Sequence, residues 1–270
     1  MKPVNQQTIL ITGSTDGIGK ISALTLAAQR AHVIVHGRNK EKVVRVVKEL
    51  SIITNNKTIE GFTADLSSLD LVRRFAQDIL GKHEAIDVLI NNAGVGFADP
   101  RYSQDEYELR FAVNYLAPFL LTHLLLPALQ KAAPSRIVNV SSAGQSPVNF
   151  SDVMLEKSFN STTAYNQSKL ALIMFTIDLA EQLKNQKITV NSLHPGTYLD
   201  TNMVRAAGIS PWGKPETGAD AVVFLATAPQ LESVTGKYFN ITKEARALDQ
   251  AYDEKARRKL RETTLELIEK

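Results

Sequence analysis

The sequence predicts an α/β fold, a doubly wound parallel sheet of about seven strands with helices on both faces. Three observations predict it. β-branched apolar runs alternate with longer helical patterns along the whole chain, a glycine-rich turn follows the first run, and no internal repeat breaks the order. Strands are expected near Thr8 to Thr12, His32 to His36, Thr58 to Thr63, Asp87 to Asn91, Arg136 to Ser141, Ile188 to Leu193 and Lys237 to Phe239, with helices in the intervals. At 270 residues, one domain with a single large core accounts for the chain, including a lid at about 198–215 and a helical tail at about 244–270.

An apolar fraction of 44% beside a charged fraction of 22% suits a globular protein, and no run reaches the ~18 uninterrupted apolar residues of a membrane span. MKPVNQQ leads directly into the first strand and leaves no room for a signal peptide, so a soluble, cytoplasmic chain is expected. The lack of cysteine excludes disulfides, thiolate catalysis and cysteine-ligated metals. His32, His36, His83, His123 and His194 match no zinc spacing and do not cluster, so no metal is expected. Net charge is only +3, and segments such as DEKARRKLRE mix both signs, which argues against a nucleic-acid partner.

Local signals set several boundaries. Ser67 or Ser68 can cap a helix that Gly81 closes, with Leu71, Phe75 and Ile79 as its buried stripe. Phe111 to Ala128 is apolar almost all round, so it is either sandwiched in the core or shared with another subunit of a homodimer or homotetramer. Pro118 and Pro127 should bend or end it locally. From Glu244 to Lys270 a charged, helix-like tail carries an imperfect stripe of Ala247, Leu248, Ala251, Tyr252, Leu260, Leu265 and Ile268, which reads as a helix packed on the domain.

The turn TGSTDGIGK places Gly13, Gly17 and Gly19 between the first strand and a helix. There, backbone amides can approach a pyrophosphate, and the helix N-terminus supplies about half an electron of positive charge. Lys20 is followed by Ile21 rather than Ser or Thr, which removes the nucleotide-hydrolysing P-loop. At the tip of the second strand, Gly37 occupies the position where an acid would hold a ribose diol, and Arg38 follows it. A guanidinium suits a 2′-phosphate, so NADP is favoured and NAD is the alternative. Asp16 inside the turn is the residue that speaks against NADP.

Chemistry is expected from Ser142, Tyr165 and Lys169. Tyr165 and Lys169 are four apart on a segment, Thr163 to Leu183, with helical periodicity, so they share a face. A tyrosine of pKa near 10 needs help to act as a base at neutral pH. An ammonium ~5 Å away supplies roughly 3 kcal/mol at an effective dielectric of 20, worth about two pH units. Ser142 would hydrogen-bond the substrate oxygen and stabilise its developing charge. A hydrolase would need G-x-S-x-G around Ser142, and the sequence there is SSAGQ.

These motifs together resemble the short-chain dehydrogenase/reductase family over nearly the whole chain, most closely its retinol-dehydrogenase-like branch. TGSTDGIG resembles the family's TGxxxGxG turn, NNAG its motif after the fourth strand, and YNQSK its YxxxK. The resemblance implies a Rossmann fold and a carbonyl–alcohol oxidoreductase, with a non-catalytic NADP-binding sensor as the alternative. It implies a cofactor site of Gly13, Ser14, Thr15, Asp16, Gly17, Ile18 and Gly19, joined by Arg38 and Asn39. Asp65 and Leu66 resemble the adenine contact; Asn92, Ala93 and Gly94 follow the fourth strand; Pro195, Gly196 and Thr197 lie beside the nicotinamide, with Tyr165 and Lys169. Asn114 matches an asparagine that supports a water-mediated proton relay through Lys169.

Two features depart from the branch. Many retinol-active relatives carry an N-terminal membrane anchor, and Thr201 stands one residue later than in the commoner Pro-Gly-x-Val-x-Thr pattern. The long interval before Tyr165 suggests an inserted loop, Gln145 to Thr162, over the site. Tyr198, Met203, Val204, Ile209, Pro211 and Trp212 make an apolar lid, which points to an apolar small-molecule ketone, aldehyde or alcohol.

Overall fold

Residues 1–269 are described by the computed structural model. Eight strands form one sheet in the order β3-β2-β1-β4-β5-β6-β7-β8. These are β1 (Thr8–Ile11), β2 (His32–Gly37), β3 (Ile59–Thr63), β4 (Val88–Asn91), β5 (Ser135–Val140), β6 (Ile188–His194), β7 (Tyr238–Asn240) and β8 (Lys243–Ala245). The first seven run parallel, and β8 returns antiparallel on β7. Strand order reverses between β1 and β4, so the crevice for a ligand opens at their C-terminal ends.

Period-two alternation divides the apolar residues between two layers. Ile9 and Ile11, Val33 and Val35, and Val88 and Ile90 face α1 (Gly17–Ala28), α2 (Lys40–Thr54) and, further along, α8 (Pro215–Thr227). Leu10, Ile34 and Leu89 face the opposite layer of α3 (Leu69–Leu80), α5 (Ala117–Ala132) and α6 (Ser161–Gln182). Between these helices come α4 (Leu109–Phe111) and the short α7 (Asn202–Ala206), and α9 (Glu254–Ile268) ends the chain's described part.

Several expectations are corrected. The sheet has an eighth strand, because Lys243–Ala245 leaves the supposed helical tail to pair with β7. The tail then forms a short turn of helix at Asp249–Tyr252 before α9. Ala247, Ala251, Leu260 and Ile268 are buried, whereas Leu248, Tyr252 and Leu265 are exposed. Ser68 caps α3, but its buried face is Leu69, Val72, Phe75, Ala76 and Ile79, with Leu71 only half-buried. Gly81 ends that helix in a right-handed conformation.

Neither proline ends the apolar helix. Pro118 lies in the first turn of α5, where its missing N–H costs nothing, and Pro127 is exposed, so water can reach the carbonyl it leaves unpaired. Between α4 and α5 the backbone widens into a π-helix at Ala112–Leu116. By length and composition, Leu109–Ala132 would suffice to cross a membrane, although 78% of its most apolar window is buried in the fold. Burial within the monomer therefore accounts for most of this segment. Tyr115, in the π-helix, donates to Thr264 Oγ1 of α9 at 2.6 Å, while Thr264 donates to Leu260 O.

Candidate active site

The turn after β1 fits a dinucleotide by its lack of side chains. Gly13 and Gly17 adopt φ of +64° and +51°. A Cβ at Gly13 would fall 2.7 Å from Ala93 Cα, and one at Gly19 would fall 2.4 Å from both Asn92 Nδ2 and Gly13 O. The cradle is thus bare backbone at the start of α1, as a pyrophosphate requires. Asp16 is the N-cap of α1, accepting from Gly17 N at 2.7 Å and meeting Asn202 Nδ2. That role explains an acid in a turn that otherwise favours anions.

Two side chains missed by sequence reasoning lock the turn. Thr12 Oγ1 accepts from the backbone amides of Asn92 and Ala93, both at 3.0 Å, and Asn92 returns bonds to the carbonyls of Thr12 and Gly13. Thr12 is the first letter of the TGSTDGIG string, so it could have been found. His36 Nδ1 accepts from Gly13 N at 3.1 Å, which fixes the proton on Nε2 facing Ala64 O. Burial lowers the pKa of this imidazole to about 4, so it is neutral. Ser14 is buried, its hydroxyl donating to Ile11 O and accepting from His36 N, so its side chain serves the fold.

The remaining expected cofactor residues ring the same sheet edge, with different freedoms. Arg38 is exposed after Gly37 and makes no ion pair among the described residues, and a Cβ at Gly37 would meet Thr15 at 2.6 Å. Asn39 caps α2 through Lys42 N, which occupies its side-chain oxygen. Asp65 accepts from Ser67 N and Gln104 Nε2, both at 3.0 Å, and Leu66 beside it is buried. Asn91, below the site, ties β4 to Thr122 and Asn139. Ile18 contacts the Gly218 region of α8 rather than solvent alone. Beyond β6, Pro195 and Gly196 turn the chain, and Thr197 Oγ1 lies 3.1 Å from His194 Nε2.

Ser142, Tyr165 and Lys169 converge at the ends of β5 and α6. Tyr165 is half-buried against Phe97, their ring centroids 4.7 Å apart. Burial raises the pKa of its phenol, and the facing Ser142 hydroxyl offsets part of that rise. The expected acidification by Lys169 is therefore not met in this geometry. Lys169 Nζ, 5.6 Å from the Tyr165 ring centre, donates to Val140 O at 2.9 Å, and burial lowers its own pKa to about 8. Ser142 Oγ also accepts from Gly144 N at 3.0 Å.

Asn114 sits in the π-helix with its side chain fully buried. Its amide group bonds both Val95 N–H and Val95 O and donates to Ser168, so it fixes the loop after β4. A Cβ at Gly94 would lie 3.2 Å from Asn114 Oδ1 and 3.5 Å from Lys169 Nζ, which places the three together. Arg110 was also missed. Fully buried, it donates to the carbonyls of Gly96, Phe97, Asp99 and Pro100 and pairs with Glu108, so it holds Phe97 against Tyr165. A charge in an apolar helix was the available signal.

Phe97, Ala98, Thr162, Tyr198, Ala206, Ala207 and Ile209 line a cavity of about 370 Å³ beside this centre. Of the expected lid residues, Met203 closes over Gly96, while Trp212 is 74% exposed and packs only edge-on to Tyr198. Thr162 of the expected overhanging loop reaches the cavity. Its first part is instead tied to the tail, through Gln145 to Leu248 N and through Val148 to Gln250, and its middle to Gln167 of α6. The five histidines do not stay apart either: His32 and His83 meet across Glu60 at the opposite edge of the sheet.

Residues 7–210 match the family model described as short chain dehydrogenase. The chain belongs to the short-chain dehydrogenase family. It is similar to human retinol dehydrogenase 13, at 37% identity over 94% of this chain and 82% of that protein. Human retinol dehydrogenase 14 is 38% identical over 94% and 84%, and human polyprenol dehydrogenase 34% identical over 96% and 84%. Among solved structures, an uncharacterised protein of Mycobacterium paratuberculosis superposes with a TM-score of 0.79 at 28% identity, covering 98% of this chain and 94% of its own. An NADP complex of Pseudomonas aeruginosa RhlG gives 0.71 at 28%, covering 89% and 98%. A Brucella melitensis 3-ketoacyl-(acyl-carrier-protein) reductase with NADH gives 0.71 at 25%, covering 88% and 97%. The dehydrogenase is thus an oxidoreductase of the retinol-dehydrogenase-like branch.

Proposed function

We propose that this dehydrogenase is an NADP(H)-preferring oxidoreductase that interconverts a carbonyl and an alcohol on an apolar small molecule. The observation that carries the reading is Tyr165, paired with Ser142 and backed by Lys169, packed on Phe97 at the wall of an apolar cavity. Similarity to retinol and polyprenol dehydrogenases supports an extended hydrocarbon substrate. The bare-backbone cradle of Gly13, Gly17 and Gly19 would hold the pyrophosphate, and exposed Arg38 would take the 2′-phosphate.

A nicotinamide dinucleotide in the glycine cradle would supply or accept the hydride; proton handling belongs to the protein. In reduction, Ser142 orients the carbonyl oxygen, and Tyr165, kept protonated by burial, delivers its proton as charge develops there. Lys169, cationic below about pH 8, stabilises the phenolate left behind.

A panel of retinoid, polyprenyl, steroid and short-chain carbonyls and alcohols with each cofactor, followed by nicotinamide absorbance, tests the reading. Tyr165→Phe is expected to lose about 10²–10⁴ in kcat while NADP affinity holds. Turnover surviving in the Phe variant, or no oxidation of NADPH by any member of the panel, would overturn it.

A further inference from the structure

His32 opens β2, at the sheet edge opposite the cofactor turn. Parallel register sets Ile34 against Glu60 of β3, and alternation puts His32 on the same face as Ile34. His83 arrives from the connection after α3, where its backbone N–H donates to Ile79 O at 2.8 Å. Three separate segments thus bring two imidazoles to one carboxylate. Glu60 Oε1 lies 2.7 Å from His32 Nε2 and 2.7 Å from His83 Nε2, and all three donor atoms fall within 4.8 Å of one another.

These contacts are unequal. His32 Nε2 makes a hydrogen bond to Glu60, but His83 Nε2 makes none despite its closeness, and its side chain is only 10% exposed. His83 Nε2 is thus a buried polar atom without a hydrogen-bond partner, close to the same carboxylate oxygen that His32 engages. Lys82 approaches Glu60 Oε2 at 3.8 Å, but it is 61% exposed and its ammonium lies over the Phe62 ring.

We propose that His32, Glu60 and His83 form a binding site for a zinc-like divalent transition-metal ion. Two imidazole nitrogens and one carboxylate oxygen suit borderline-soft ions and not magnesium or calcium, whose ligands are oxygens. Around zinc, with bonds near 2.0–2.1 Å, neighbouring donors stand about 3.3 Å apart. Each 2.7 Å gap therefore has to open by about half an ångström, which Glu60, 27% exposed, can allow by turning its carboxylate. Water completes the coordination, since His32 is also partly exposed. The ion would staple the α3–β4 connection to β2 and β3. Five residue steps along β2 separate His32 from Gly37 at the cofactor edge, roughly 16 Å, so the site is distinct from the catalytic centre.

The test uses the whole chain without nucleotide and reads metal rather than turnover, so it stands apart from the proposed activity. Wild-type protein loaded with zinc(II) is dialysed against zinc-free buffer and its metal content measured; cobalt(II) loading is followed by visible absorption. One bound equivalent and the absorption of a four-coordinate nitrogen–oxygen site are expected in the wild type, both lost in Glu60→Gln and His83→Gln. Circular dichroism establishes that the variants are folded, and His32→Gln serves if either is not. Zinc should also raise the melting temperature of the wild type and leave that of a folded variant unchanged. A wild type that retains no zinc, or variants that retain as much, would overturn the site and leave a histidine–carboxylate cluster.

Discussion

Acidification should loosen the glycine turn after β1, through one side chain. His36 is buried between Gly13 N–H and Ala64 O, and burial lowers its pKa from 6.5 to about 4. The folded state therefore binds a proton less readily than the unfolded chain, so stability is complete above pH 6.5 and falls as pH drops toward 4. At about 1.36 kcal/mol per pH unit, the full effect is about 3.4 kcal/mol, of which about 2.4 is lost between pH 7 and pH 4.5. That is a large share of the 5–15 kcal/mol by which domains are typically stable. The assay is urea unfolding at both pH values for the wild type and His36→Gln, whose amide can still face Ala64 O but cannot be protonated. At pH 7 the variant should be weaker by about 1–3 kcal/mol, because Gly13 N–H loses its acceptor. Its further loss on acidification should be about 2 kcal/mol smaller than that of the wild type. Since burial also lowers His83, His123 and His194, the comparison removes their shared contribution. An identical acid loss in both proteins would refute the assignment to His36.

Arg38→Asp should move cofactor preference toward NAD by about tenfold or more, the loss of one charge-assisted pair plus added repulsion; an unchanged ratio of kcat/KM values would remove Arg38 from that role. Carbonyl reduction should decline as pH rises through about 8, where buried Lys169 loses its proton, and a flat profile across that range would contradict the electrostatic role given to it. Gly19→Ala should abolish nucleotide binding measured by calorimetry, because its methyl would stand 2.4 Å from Asn92 Nδ2 and Gly13 O; retained affinity would show that the turn can shift to accept it.

The parallel strands were legible because apolar, β-branched runs alternate with longer helical patterns, and each of the seven parallel strands lies within a residue or so of its expected place. The motifs were legible because the glycines, Tyr165 and Lys169 are set by local spacing. Roles created by distant contacts were not. His36 reads as an ordinary strand residue until β1, β2 and β3 assemble around it, and Glu60 stands 28 residues from His32 with no pattern linking them. β8 escaped notice because KEA has no strand propensity and pairs only as an edge. Acidification of Tyr165 was argued from one neighbour alone, whereas desolvation and the Val140 carbonyl compete with it.

The bond between Tyr115 and Thr264 ties the carboxyl-terminal helix to the π-helix that carries Asn114. Tyr115 adjoins Asn114, and burial holds its phenol protonated, with Thr264 as its partner. A chain cut short after Tyr252 would keep every signature string from TGSTDGIG to YNQSK and yet leave the buried Tyr115 hydroxyl stranded in the π-helix. Motif inventories would score such a shortened form as intact, whereas its frame would already be broken.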